Sequence, residues 1–177
     1  DFVYGLITEE LIRGVTSFAK KNKIKLFGDC QCSSQTGDIA KMKEFFLLSP
    51  NEKEARLSIK NREISLNELS LDLIRKTNCQ NLIMKLGADG FIVYESNKTG
   101  TKNIQAFPAL SVNPIDVAGA GDTLLSIMAA GLSNNVPIME VAALACCGAS
   151  IAVNRMGNVP VNAEDIVEKL NLIDIAV

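Results

Sequence analysis

The sequence contains no histidine and no tryptophan. Without histidine, neither a Ser-His-Asp nor a Cys-His hydrolase can be assembled, so acid–base chemistry falls to Asp, Glu, Lys, Tyr or Cys. The same absence, with only five cysteines and no second spaced pair, argues against a zinc site. Cys30 and Cys32 form one C-x-C, Cys146 and Cys147 are adjacent, and Cys79 stands alone. Their odd number reads as free thiols in a reducing compartment, with Cys146 and Cys147 buried in an apolar helix. No apolar run reaches membrane-spanning length, and Asp1-Phe-Val-Tyr-Gly5 has neither the basic start nor the apolar centre of a signal peptide. A cytoplasmic location is therefore expected. A basic run with interleaved aromatics is also missing, and the net charge is −2, so neither nucleic acid nor an anionic membrane is an expected partner.

What is present is a chain of 177 residues, 47% apolar and 21% charged, enough for one domain with a proper core. Apolar spacing predicts a helix over 9–21, a strand over 24–28, a strand over 45–48, a helix over 51–57 and a helix over 65–76. Strands over 82–86 and 91–94 flank Gly87-Ala-Asp-Gly90, whose Asp-Gly step suits a tight hairpin. A polar loop is expected over 97–102, then extended segments over 104–107 and 110–112. Helices over 123–132, 138–153 and 163–170 complete the chain, the middle one so apolar that it is expected to pack on a sheet face. Strands alternating with helices define an α/β protein with a mostly parallel sheet, and no repeat or linker divides it.

The most informative stretch runs from Asn113 to Asp122, with the sequence Asn-Pro-Ile-Asp-Val-Ala-Gly-Ala-Gly-Asp, and opens the helix at Thr123. Gly119, Ala120 and Gly121 carry little or no side chain, so their backbone N–H groups can converge on an anion beside the positive end of a helix. An anion hole has no need of a second negative charge. Asp122 is therefore read as a proton acceptor for a hydroxyl attacking a phosphoryl group, the plainer alternative being an ordinary turn with a capping Asp. No Gly-x-x-x-x-Gly-Lys-Ser/Thr occurs, which excludes a P-loop kinase, and no Gly-x-Gly-x-x-Gly follows a strand.

Asp116-Val-Ala-Gly-Ala-Gly-Asp122 resembles the Asp-Thr-x-Gly-Ala-Gly-Asp signature of the PfkB, or ribokinase-like, carbohydrate kinases, with Val117 in place of Thr. Further matches follow in family order. Asn51-Glu-Lys-Glu54 is similar to the family's Asn-x-x-Glu, which implies that Asn51 and Glu54 organise Mg²⁺, its waters and the phosphates of ATP. Mg²⁺ keeps several waters, so one carboxylate suffices. The alternative for this segment is a helix start after Pro50 with exposed charges. Lys85-Leu-Gly-Ala-Asp-Gly90 resembles the segment lining the nucleotide pocket, which makes Lys85, Gly87 and Gly90 cofactor-binding candidates. Ala152-Val-Asn-Arg-Met-Gly157 resembles the segment that, with the aspartate at position 116, holds a monovalent cation. The implied potassium ligands are Asp116, Ala118, Ala152, Arg155 and Gly157, although Gly157 also suits a simple helix end before Pro160.

Asp1-Phe-Val-Tyr-Gly5 and Arg155-Met-Gly-Asn-Val-Pro160 are similar to the heptose-phosphate kinase branch, but Gly28-Asp-Cys-Gln-Cys32 stands where that branch has Asp-Pro-Lys-Gly. The resemblance implies a three-layer ribokinase-like sandwich of which residues 1–177 are the C-terminal nucleotide-binding and catalytic part, the N-terminal part and lid being missing. It further implies phosphorylation by ATP of a sugar or sugar phosphate, with a homo-oligomer open. A nucleotide-binding or oligomerisation module without catalysis is the second reading.

Overall fold

The computed structural model describes residues 6–31, 37–61, 63–97, 100–111 and 113–174. The expectations placed on Asp1–Gly5, Cys32 and Val112 lie outside them. The chain runs α1 (Glu9–Asn22), β1 (Phe27–Gly28), a 3-10 turn (Ile39–Lys41), β2 (Leu47–Leu48), α2 (Glu52–Ile59), α3 (Leu66–Thr77) and β3 (Asn81–Lys85). It continues through a second 3-10 turn (Gly87–Asp89), β4 (Phe91–Asn97), β5 (Gly100–Phe107), α4 (Ala120–Ser133), α5 (Ile138–Ala152) and α6 (Ala163–Asp174).

Local chemistry sets these boundaries. The Thr8 hydroxyl accepts from Leu11 N at 3.1 Å to start α1, and α2 and α3 open on capping boxes built by Asn51 with Glu54 and by Ser65 with Glu68. All three helices close on a left-handed residue, Lys23, Lys60 and Asn78.

The five strands form one sheet in the order β1-β2-β3-β4-β5. β1, β2 and β3 pair parallel, with Phe27, Leu47 and Asn81 in one register row and Gly28, Leu48 and Leu82 in the next. The connections from β3 to β4 and from β4 to β5 are far too short for a crossover, so these neighbours run antiparallel and the sheet is mixed. The expected strands over 24–28 and 45–48 shrink to two residues each. Leu26 O accepts from both Phe46 N and Leu47 N, and Glu44 turns through a left-handed φ of 62°, so regular pairing begins only at residues 27 and 47. The expected polar loop over 97–102 is corrected too: β4 extends to Asn97 and β5 already begins at Gly100.

Two compact units divide the chain: residues 1–86 with 92–105, and residues 87–91 with 106–177. The first is built around Ile12, Ile39, Leu48, Leu69, Leu73, Leu82, Met84 and Tyr94, all buried. In the second, Phe91 stacks on Phe107 with ring centroids 5.2 Å apart, and α5 packs against α4 and α6. Small residues let α4 and α5 approach closely, since a Cβ on Gly131 would lie 2.6 Å from Val141 and one on Gly148 would lie 2.2 Å from Ile127 Cδ1. No helix among the described residues is long and apolar enough to cross a membrane.

Candidate active site

In the second unit, the glycine-rich turn is fastened before it enters α4. Ile115 N and Asp116 N both donate to Val153 O, at 2.7 and 3.1 Å. The Asp116 carboxylate then accepts from Ala118 N on one oxygen (2.9 Å) and from Gly157 N on the other (3.1 Å). One carboxylate thus ties the 113–118 loop to the loop that follows α5.

Gly119 stands at the N-cap with φ 77°, in the left-handed region, and no side chain caps the helix. Its missing Cβ is required twice over, because an added methyl would lie 2.1 Å from Asn158 Oδ1. Gly119 O receives Thr123 N at 2.9 Å, and Ala120 N reaches Val117 O only at 3.4 Å. Among the described residues the N–H groups of Gly119, Gly121 and Asp122 have no hydrogen-bond acceptor. They cluster at the positive end of a 14-residue helix. Asp122 is exposed in the first turn, and its main-chain oxygen, rather than its carboxylate, takes the Ser126 hydroxyl at 2.7 Å. The carboxylate stays available to a proton donor from outside the chain.

The cation candidates divide. Asp116 is placed as described, while Ala152 O accepts from Arg155 N and Gly157 O from Val159 N, each keeping a second lone pair. The Arg155 guanidinium turns to Asp165, donating at 3.1 and 2.6 Å, and to Pro160 O at 3.1 Å. Only the Arg155 carbonyl is left as a ligand. Hydrogen bonding with Asp165 raises the Arg155 pKa, and the bond from Arg155, followed by that from Asn162 N, lowers the Asp165 pKa.

Gly90 is where sequence pattern and packing coincide. At φ 89° its Cβ would meet Phe107 O at 2.1 Å and Ala109 N at 2.7 Å. Gly87 has φ 62° and open space around it, and Gly90 N closes the turn on Gly87 O at 3.2 Å.

In the first unit, Asn51 and Glu54 interlock: Asn51 N donates to Glu54 Oε2 (2.8 Å) and Glu54 N to Asn51 Oδ1 (2.9 Å). Glu54 is only 5% exposed, so the alternative of freely solvated charges does not describe it. Asn51 also bridges Lys85 of β3, whose N–H reaches Pro50 O at 2.9 Å. The Lys85 ammonium lies 2.7 Å from Asp29 Oδ2. The four described cysteines, Cys30, Cys79, Cys146 and Cys147, are free and buried, and desolvation pushes the Cys79 thiol up to about 11.

Sequence reasoning missed Asn158 over Gly119, the Arg155–Asp165 pair and Asp29. Only α6 carried a readable signal: Asn162 and Asp165, three apart at its start, exchange side-chain and backbone hydrogen bonds at 2.9 and 2.8 Å.

The described residues include a mixed sheet and, in the second unit, an uncapped glycine turn that opens a helix at an exposed aspartate. Residues 3–164 match the model of the pfkB family carbohydrate kinases, and the chain belongs to that family. It is 32% identical over 172 residues to the bifunctional protein HldE of Sulfurimonas denitrificans, and 31% identical over 174 residues to that of Syntrophotalea carbinolica. These alignments cover 95% and 96% of the chain but 34% of each relative, so the chain spans about a third of their length. Among solved structures, Escherichia coli phosphofructokinase-2 in complex with potassium superposes with a TM-score of 0.77 at 17% identity, over 95% of this chain and 53% of that one. Arabidopsis thaliana ribokinase complexed with ribose and ATP gives 0.75 at 19%, over 93% and 53%. At these identities the likeness shows the fold, which is ribokinase-like.

Proposed function

We propose that the intact protein transfers the γ-phosphoryl group of ATP to a hydroxyl of a sugar or sugar phosphate, and that residues 1–177 are the C-terminal, nucleotide-binding and catalytic part of its kinase domain. The observation that carries this reading is the start of α4: unpaired N–H groups at Gly119, Gly121 and Asp122, a backbone forced by Gly119, and an exposed carboxylate at Asp122.

Asp122 accepts the proton of the attacking hydroxyl. As the new O–P bond forms and the bond to the departing ADP oxygen breaks, the N–H groups of the Gly119–Ala120–Gly121 turn hold the charge on the equatorial phosphoryl oxygens. The Asn51–Glu54 pair places a carboxylate and an amide oxygen at the start of α2, oxygen donors that suit Mg²⁺ held mainly through its own waters. Magnesium bound with the nucleotide neutralises phosphate charge. Lys85 supplies a cation toward the nucleotide, and the carbonyls of Ala118, Ala152, Arg155 and Gly157 around Asp116 suit potassium, an ion that asks for oxygen donors and little charge. The buried free thiols fit a reducing cytoplasm.

The test is phosphoryl transfer by the intact protein from ATP–Mg²⁺ to a panel of free sugars and sugar monophosphates, including heptose phosphates, with products read by mass. A phosphorylated product that depends on Mg²⁺ supports the reading. ATP binding with no transfer to any acceptor favours a nucleotide-binding module.

A further inference from the structure

Asp29 was not singled out by any sequence pattern, yet the fold gives it a specific job. It follows β1 directly, while Lys85 ends β3, and β2 lies between those strands. Two strand spacings, about 9.5 Å, separate β1 from β3. The Lys85 and Asp29 side chains therefore reach across the end of β2 to meet at 2.7 Å, only 19% and 23% exposed. Asp29 is itself oriented, since its other oxygen accepts Cys30 N at 2.9 Å. Directly after β2, the Ser49 hydroxyl is fully buried and has no hydrogen-bond partner among the described residues. Asn51, which opens the capping box, is bridged to Lys85 in the same row.

All these groups stand at the C-terminal ends of parallel strands, the edge at which open α/β sheets receive ligands. An ammonium on a four-carbon stem has many rotamers, and a single carboxylate removes most of that freedom. It consumes one of three donors and leaves the others for an anion.

We propose that Asp29 is a positioning residue: it fixes the Lys85 ammonium across the C-terminal edge of β2, where that ammonium recognises the phosphates of the nucleotide rather than its nucleoside. This inference rests on the kinase reading above. Calorimetry on the intact protein, with ATP–Mg²⁺ and with adenosine, tests it in the wild type, Asp29→Ala, Lys85→Met and the double variant. Each single change lowers ATP affinity about tenfold or more, the scale of a charge-assisted hydrogen bond, and leaves adenosine affinity alone. The double variant binds ATP no worse than Lys85→Met, because the effect of Asp29 on the phosphates runs through Lys85. Lys85→Arg, which still reaches Asp29, restores most of the loss.

An Asp29→Ala protein that melts earlier but keeps the wild-type ratio of ATP to adenosine affinity overturns the inference and leaves the kinase reading standing if Asp122-dependent transfer persists. A wild type that binds no ATP overturns both.

Discussion

Replacing Gly119 by alanine adds one methyl group at the residue that sets the direction of α4, and its cost can be worked from two independent terms. A left-handed backbone at φ 77° costs a non-glycine residue about 1–2 kcal/mol. The new Cβ would also lie 2.1 Å from Asn158 Oδ1 and 2.9 Å from Asn158 Cγ, which forces the amide out of its position. Asn158 is a side chain and can rotate, at about 0.5–1.5 kcal/mol for a strained rotamer. The sum is about 1.5–3.5 kcal/mol, or about 3–14 °C in melting temperature for a chain of this size. Gly14 supplies the control. It lies exposed inside α1, where a Cβ meets nothing within 4 Å, so Gly14→Ala stabilises by about 0.5–1 kcal/mol. Urea unfolding followed by circular dichroism in the intact protein compares the two, with Gly119→Ala/Asn158→Ala as the third arm. The double variant recovers the rotamer term and retains the backbone term. A Gly119→Ala protein as stable as Gly14→Ala, or a double variant no better than the single, refutes the reasoning.

Glu54 separates a structural from a chemical role, because glutamine can complete a capping box as glutamate does. Glu54→Gln therefore costs less urea stability than Asn51→Ala while raising the Mg²⁺ concentration needed for turnover; unchanged Mg²⁺ dependence reduces Glu54 to a cap. Asn51→Ala breaks the box and costs about 0.5–2 kcal/mol in the same assay. Asp165, whose pKa is lowered by Arg155 and then by Asn162 N, gives a pH-dependent prediction. Its pKa is depressed on folding, so its stabilisation is present above the ordinary aspartate range and fades as pH falls through the lowered value. Asp165→Asn is accordingly less stable than wild type at pH 7, and the gap closes in acid; a gap independent of pH contradicts the assignment.

The helices were legible because their signals are local. The expected 65–76 and the observed Leu66–Thr77 differ by one residue, with Ser65 and Glu68 announcing the start. Only the 104–107 half of β5 was legible, because Gly100, Thr101, Lys102 and Asn103 offer no apolar alternation; pairing with β4 makes them a strand, and Asn103 Nδ2 donates to Glu95 Oε2 at 2.6 Å across it. The glycine turn could be read at the level of residue type, since Gly119 and Gly121 remove the side chains that would crowd the start of a helix. Its supports could not: Asp116 reaches Gly157 across 41 positions and Lys85 reaches Asp29 across 56, distances over which a single sequence carries no pairing information.

The base assigned to the transfer is the central claim, and Asp122→Asn addresses it most directly. Asparagine keeps the size and polarity of the side chain but cannot accept the hydroxyl proton. With ATP–Mg²⁺ affinity and turnover measured on the same preparation of intact protein, the account predicts nucleotide binding within about threefold of wild type and kcat lower by about 10²- to 10⁴-fold. Turnover that survives the substitution, with binding intact, would contradict it.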